Sequence, residues 1–244
     1  MKKFYLLVSK EGSILVEVGK KRFVNTHFGK IDTKELKEGK FVKTHLGKEF
    51  LVLRALPKDI LLKKIVRTAQ VILPKDIGLI LSYVSLKEDP LIVDAGTGTG
   101  YSAILLALVF PKGKVVSYEI NDLFYRKAVE NLKLVGIKNV RIKKKDVTKK
   151  IDEKNVDLIL LDLKDVVKVI KKAWKALKNG GYLVIYSPTV DELLEVNREL
   201  ENYEYFDKVI FEGIVREWQY TKTLRPKTLG LMHTGFITIV RKFK

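Results

Sequence analysis

Four carboxylates each close a run of strand-forming residues in this chain: Asp94 after Leu91-Ile-Val93, Glu119 after Val115-Val-Ser-Tyr118, Asp146 after Val140–Lys145, and Asp162 after Leu158-Ile-Leu-Leu161. The first runs directly into Ala95-Gly96-Thr97-Gly98-Thr99-Gly100-Tyr101, and Tyr101 to Phe110 reads as a helix. A strand, a three-glycine turn and a helix N-terminus form a cradle for the polar end of a nucleotide-like ligand. Glycine allows positive φ and lets a ligand approach the backbone with no Cβ in the way. The order is Asp-x-Gly-x-Gly-x-Gly, whereas the dinucleotide fingerprint Gly-x-Gly-x-x-Gly places its third glycine one residue later. The turn contains no Arg or Lys to meet a phosphate, and the P-loop lysine is absent.

Glu119 is placed to accept hydrogen bonds from both hydroxyls of a ribose, and Asp146 from the exocyclic amine of an adenine. Glu119 alone fits NAD equally well, and any single strand-end acid also suits a solvated terminus or a helix cap. Four in succession, on the face where the glycine turn opens, favour S-adenosylmethionine: an adenosine with a sulfonium cation and no phosphates. Asp162 lies in Leu160-Leu-Asp162-Leu-Lys-Asp165, where methyltransferases place residues that face the methyl acceptor. A plain capping role for Asp162 stays open, and Asp165 suits the cap of the following helix. The motif Asn/Asp-Pro-Pro-Tyr/Phe is missing at this point, which argues against N6 methylation of adenine. With no cysteine in the chain, covalent C5 methylation of cytosine is excluded.

The elements that carry these acids alternate from Pro90 onward. Strands are predicted at Leu91–Ala95, Lys114–Ile120, Val140–Asp146, Val156–Asp162 and Tyr182–Ser187. Helices are predicted at Tyr101–Phe110, Asp122–Val135, Val166–Lys178 and Asp191–Asn202. Nearly continuous apolar strands between helices imply a parallel sheet covered on both faces. Tyr205–Glu217 and Gly235–Phe243 then read as two strands with only a loop between them, hence an antiparallel pair. Upstream, Pro57–Arg67 and Pro74–Leu86 read as helices that start at proline. Residues 1–56 hold short β-branched runs separated by Gly12, Gly19, Gly29, Gly39 and Gly47, the pattern of a small barrel or sandwich. Within them Thr26-His27-Phe-Gly29 recurs as Thr44-His45-Leu-Gly47, read as two equivalent arches in which each His makes a local hydrogen bond. The expected organisation is therefore a small β domain over 1–56 and an α/β domain over 57–244, with the boundary at Leu56-Pro57.

The 244 residues carry 47 Lys+Arg against 29 Asp+Glu, a formal charge of +18. A heat-adapted Lys/Glu surface accounts for many charges but not for the imbalance, which favours a polyanionic partner, nucleic acid ahead of membrane. No apolar run reaches the roughly 18 residues needed to span a bilayer and no signal-peptide pattern is present, so a cytoplasmic location is expected. His27, His45 and His233 are scattered and there is no Cys, so no metal site is expected.

Several segments together resemble the tRNA (adenine-N1)-methyltransferases that modify the T-loop, in their single-polypeptide archaeal and bacterial form. They are Gln70-Val-Ile-Leu-Pro-Lys-Asp76, Ala95–Gly100, Ser117-Tyr-Glu119, Leu161-Asp-Leu163, Tyr186-Ser-Pro-Thr189, Arg216-Glu-Trp218, Arg225-Pro226 and His233-Thr-Gly-Phe236. The resemblance spans essentially the whole chain. It implies a Rossmann-like methyltransferase sheet ending in an antiparallel hairpin, with a small N-terminal all-β domain serving tRNA contact or assembly. It implies S-adenosylmethionine held by Gly96, Thr97, Gly98, Thr99, Gly100, Tyr101, Glu119 and Asp146, and Asp162 as the catalytic residue. It also implies a homotetramer, a dimer of dimers, acting on one or two adjacent T-loop adenines of tRNA. Leu73 stands where relatives often carry an aromatic residue, and Leu163-Lys-Asp165 replaces a proline- and Trp-bearing stretch. Two alternatives are another base specificity, such as guanine-N1, and a catalytically silent tRNA-binding subunit. His233 suits either a pocket or a structural role, Trp174 sits at core spacing, and Trp218 is a candidate for the acceptor cleft.

Overall fold

Val156–Leu161 (VDLILL) is buried at every position, as a strand must be when helices cover both faces of its sheet. The computed structural model describes residues 3–19, 21–65, 72–220, 222–228 and 233–244. The chain divides into two compact units, one of Met1–Val66 with Glu130–Ile137, the other of Arg67–Val129 with Lys138–Lys244. Arg67, Gln70 and Val71, which belong to segments singled out above, lie outside the described residues. Among the described residues no helix is long and apolar enough to cross a membrane.

The first unit contains β1 (Lys3–Ser9), β2 (Gly12–Val18), β3 (Phe23–Thr26), β4 (Gly29–Asp32), β5 (Phe41–Lys43), β6 (Glu49–Arg54) and α1 (Pro57–Lys64). Its main sheet is antiparallel, in the order β2-β1-β6-β5, and β3 and β4 form a separate hairpin. Tyr5, Leu7, Val16, Val42, Phe50 and Val52 from the sheet pack with Ile31 of the hairpin and with Leu36. The two Thr-His-x-Gly segments are hairpin turns and not arches, since the strands flanking each pair with one another, and threonine rather than histidine makes the local bond. Thr26 Oγ1 accepts from Phe28 N at 3.1 Å, and Thr44 Oγ1 from Lys48 N at 3.1 Å. His45 reaches instead to the other hairpin, its Nδ1 accepting from Lys30 N at 2.8 Å. Gly29 makes room for that ring, because a Cβ there would come within 2.9 Å of Nδ1.

The second unit is built on β7 (Leu91–Ala95), β8 (Lys114–Glu119), β9 (Val140–Lys144), β10 (Val156–Leu161), β11 (Leu177–Ser187), β12 (Tyr205–Glu212) and β15 (Phe236–Lys242). They form one sheet in the order β12-β15-β11-β10-β7-β8-β9. β7 to β11 run parallel, while β15 is antiparallel to both β11 and β12. The chain moves from β7 outward through β8 to β9, then returns to the opposite side of β7 as β10. This makes the β7–β10 boundary the topological switch point, where open α/β sheets bind their ligands. Helices α2 (Pro74–Tyr83), α3 (Tyr101–Val109), α4 (Asp122–Val135), α5 (Val167–Ala176) and α6 (Val190–Leu200) accompany the strands. In α5, Val169, Ile170, Ala173 and Trp174 share the buried face, as their helical spacing predicts. Trp174 joins the main core and donates Nε1–H to the carbonyl of Lys244 at 3.1 Å.

The chain departs from expectation at β11, which starts at Leu177 and not at Tyr182 because α5 already ends at Ala176, and again after β12. The segment between β12 and β15 is not merely a loop, since Trp218–Tyr220 (β13) pairs antiparallel with Leu224–Pro226 (β14). β12 also stops at Glu212 instead of continuing to Glu217. The reason lies in Gly213, where any Cβ would overlap Leu79 and whose carbonyl accepts from Lys75 Nζ at 2.6 Å. The same ammonium donates to Asp76 Oδ1 at 2.6 Å and to Thr234 Oγ1 at 2.8 Å, and Thr234 Oγ1 donates to Asp76 Oδ2 at 3.1 Å. The backbone after β12 is thus spent on an ion pair with α2, not on a sheet ladder.

Asp76 is fully buried, so removing it leaves the Lys75 ammonium without its counter-charge. Asp76→Ala is expected to cost about 3 kcal/mol of stability, the scale for breaking a buried pair, readable as a lowered midpoint in denaturant unfolding.

Candidate active site

A cavity of about 620 Å³ opens at the carboxyl ends of the parallel strands, within the size range of small-ligand sites. Gly96, Gly98, Glu119, Asp146 and Asp162 line it, and so bring together five of the predicted site residues. Three backbone facts hold the glycine turn. Gly96 has φ +93°, and a Cβ on it would overlap the Asp162 carbonyl. Gly98, at φ +53°, donates its N–H to Glu119 Oε2 at 2.9 Å. Gly100, at φ +81°, is the N-cap of α3, and a Cβ there would sit 3.3 Å from that of Ala128. The carbonyl of Thr97 accepts from Gly100 N at 2.8 Å and closes the turn.

The remaining predicted residues support the cavity without lining it. Tyr101 and Thr99 are fully buried, and Thr97 nearly so. Thr97 Oγ1 lies 2.6 Å from Ser117 Oγ, which donates to Asp94 Oδ2 at 2.5 Å. Asp94 therefore turns into the sheet, and three of the four strand-end acids, not four, meet the ligand space. Burial pushes the Asp94 carboxyl up to about 6; nearby Glu119 adds to this and the Ser117 bond opposes it.

Glu119 also accepts from Asn121 N at 2.8 Å, so both of its oxygens are oriented by backbone donors. Asp146 Oδ1 accepts from Thr148 N at 2.9 Å and Thr148 Oγ1 at 2.6 Å, and the hydroxyl bond holds its pKa below the usual carboxylate range. The segment that carries Asp146 is anchored behind by Tyr118. Its hydroxyl donates to Glu153 at 2.5 Å and accepts from Asp152 N at 2.8 Å, while Lys143 bridges Asp152 and Glu153.

Asp162 follows β10, its N–H donating to Ala95 O at 2.9 Å. Burial pushes its carboxyl up to about 7, with Asp94 and Glu192 adding repulsion. Leu163, Tyr186 and Pro188 line the cavity beside it, together with Glu192. Sequence reasoning assigned Glu192 no role, since nothing in Asp191–Asn202 separates it from a solvated helix face. Asp165 does not cap α5 as expected: the N-cap is Val166, no side chain caps the helix, and Asp165 contributes only its carbonyl, which accepts from Lys168 N at 3.0 Å. Leu73 and Trp218 do not line the cavity. His233 is half exposed and fastened between Glu212 Oε1 (2.5 Å) and the Pro188 carbonyl (3.1 Å), a tether for a cavity wall.

Residues 52–239 match the family described as the tRNA methyltransferase complex GCD14 subunit. The chain belongs to this family. It is 34% identical to the tRNA (adenine(57)-N(1)/adenine(58)-N(1))-methyltransferase TrmI of Methanocaldococcus jannaschii, covering 98% of this chain and 94% of the relative. It is 30% identical to a tRNA (adenine(58)-N(1))-methyltransferase TrmI of Thermus thermophilus, covering 98% and 93%. Among solved structures it is similar to a SAM-dependent O-methyltransferase from Thermotoga maritima, with TM-score 0.88, 30% identity and coverage of 99% and 93%. TrmI from Aquifex aeolicus shares the fold, with TM-score 0.81, 24% identity and coverage of 99% and 97%. These matches support neither guanine-N1 specificity nor a silent subunit.

Asp94 offers a test of the electrostatics. Its folded-state pKa of about 6 lies above the ordinary aspartate value of 3.8, so the fold binds this proton more tightly and stability falls as pH rises between those values. Asp94→Asn keeps an acceptor for Ser117 and removes the buried charge. Unfolding midpoints are expected to rise at pH 8, by on the order of 2 kcal/mol, and to show no such gain at about pH 3.5.

Proposed function

We propose that this protein transfers a methyl group from S-adenosylmethionine to N1 of an adenine in the tRNA T-loop. The observation that carries the reading is the desolvated Asp162 carboxyl in one cavity with Glu119 and Asp146, on a residue whose backbone carbonyl packs against Gly96. Those residues fit the methyl donor. Gly96 and Gly98 present bare backbone, Glu119 is oriented to accept from ribose hydroxyls, and Asp146 keeps one oxygen, Oδ2, for an adenine amine. Thr97, Thr99, Gly100 and Tyr101 fix the turn from behind. S-adenosylmethionine supplies an electrophilic methyl on a sulfonium.

Adenine N1 carries an in-plane lone pair and no proton, so the protein needs no general base. The lone pair becomes the N–C bond, the electrons of the broken C–S bond stay on sulfur, and the positive charge passes to the base. Asp162 accepts from the N6 amine, orients the ring and offsets the charge that develops on it, a preorganised electrostatic role. N1 lies on the Watson–Crick edge, so the base must leave its stack, at a cost of a few kcal/mol.

The excess of cations supports tRNA as the polyanion. In the first unit, Phe23 is exposed with Arg22 and Lys30 over its ring at 5.1 and 5.5 Å, an arrangement suited to a nucleic-acid backbone and an unstacked base. A homotetramer is supported by Ile214, Val215, Trp218, Tyr220 and Leu224, all exposed along residues 214–224. Trp218→Asp with Tyr220→Asp is expected to yield a smaller species than the parent in sedimentation velocity.

Asp162→Ala is expected to abolish methyl transfer to unmodified tRNA while S-adenosylmethionine still binds in a calorimetric titration; full turnover would refute the assignment. Because the ionised carboxylate is the active form and its pKa is about 7, single-turnover rates should fall about tenfold per pH unit below that value.

A further inference from the structure

Glu192 is the acid in the cavity wall that this chemistry leaves unused. It stands in the first turn of α6, where Thr189 Oγ1 accepts from its N–H at 3.2 Å and fixes the backbone. It lines the cavity along with Asp162, Leu163, Tyr186 and Pro188, and its charge acts on the Asp162 carboxyl. Its Oε1 is buried, and a hydrogen bond from the Ser187 hydroxyl opposes the upward push of burial on its pKa, so the carboxylate is held from behind while the residue lines the cavity. A carboxylate held on its protein side and fronting a cavity still has acceptor capacity for a ligand that brings donors.

The surroundings say what kind of ligand. Asp162 faces Asp94 from β7, Glu192 from α6 and Tyr186 from β11, while Glu192 also feels Glu195 on its own helix and lies near Ser187. Lys145 and Lys164 line the same cavity, but Lys145 is paired with Asp152. A site with two carboxylates and an apolar wall suits a flat group carrying two N–H donors. The N6 amine of adenine has two hydrogens. Guanine presents an oxygen acceptor at the equivalent carbon, which two carboxylates would repel.

We infer that Glu192 and Asp162 each accept one hydrogen of the target adenine's N6 amine, so that Glu192 selects adenine over guanine. This rests on the methyltransferase reading above. Asp162 takes the hydrogen on the N1 side, and Glu192 the one on the N7 side. Glu192 is thus a specificity-determining residue that touches the substrate base but not the methyl donor.

The test uses the full-length protein with unmodified tRNA carrying either adenosine or purine riboside, which lacks the amine, at the target position. Glu192→Ala should lower kcat/KM on adenosine tRNA on the order of 10- to 100-fold, the loss of one charge-assisted hydrogen bond. On purine tRNA, compared at a pH above about 8 where Asp162 is ionised in both, the same variant should match the parent, because there is no amine to lose. Glu192→Gln keeps an acceptor and should lose less than Glu192→Ala. Removing its charge should also move the acid limb of the rate profile to lower pH, a shift that a merely structural role would not produce. S-adenosylmethionine should bind both variants within about twofold of the parent. A tenfold weaker cofactor affinity, or an Ala penalty that persists on purine tRNA, overturns the inference. A parent enzyme that methylates no tRNA adenine overturns the wider reading and this one with it. An active parent with an indifferent Glu192→Ala overturns the role of Glu192 alone.

Discussion

The site depends on one steric contact: the α-carbon of Gly96 lies against the carbonyl of Asp162, with no space for a side chain. β7 and β10 are neighbours at the point where the strand order reverses, and Ala95 pairs with Leu161 in register. The residue that leaves each strand must therefore share the same few ångströms. Glycine on one side lets the aspartate on the other come close, so the donor cradle and the acceptor-facing carboxylate are adjacent by construction.

Around that contact the protein concentrates negative charge in a chain whose net charge is +18. Asp94, Asp162 and Glu192 all have their pKa values raised, with burial as the leading cause in each. Carboxylates held this way are destabilising to the empty protein and favourable to a ligand that brings positive charge or N–H donors. A sulfonium and a base that turns cationic during reaction are such ligands. The excess lysine and arginine serve a different purpose, attraction of a polyanion over longer distances.

Much of the second unit was legible from the sequence. β7 spans Leu91–Ala95 and α4 spans Asp122–Val135, as patterning predicts, because buried parallel strands and amphipathic helices leave strong local signals. The hairpin expectation also holds for β12 and β15. The shortened β12 and the β13–β14 ribbon were not legible, since Gly213 is diverted by Lys75 and Asp76, more than a hundred residues earlier. The histidine of the repeated turn misled for the same reason: His45 bonds to Lys30, not to its own turn.

At the level of the site, the glycine cradle and the row of strand-end acids can be read from the residues alone. Strand, turn and terminal carboxylate are contiguous, and their spacing is chemistry written locally. Which acids face the ligand is fixed only once the strands and helices are packed together. Asp94 turns into the sheet because Ser117, on the adjacent strand, donates to it. Glu192 enters the cavity because α6 begins directly after β11, its first turn fixed by Thr189. The direction a carboxylate points is set by partners distant in sequence, and no pattern within one element can supply it.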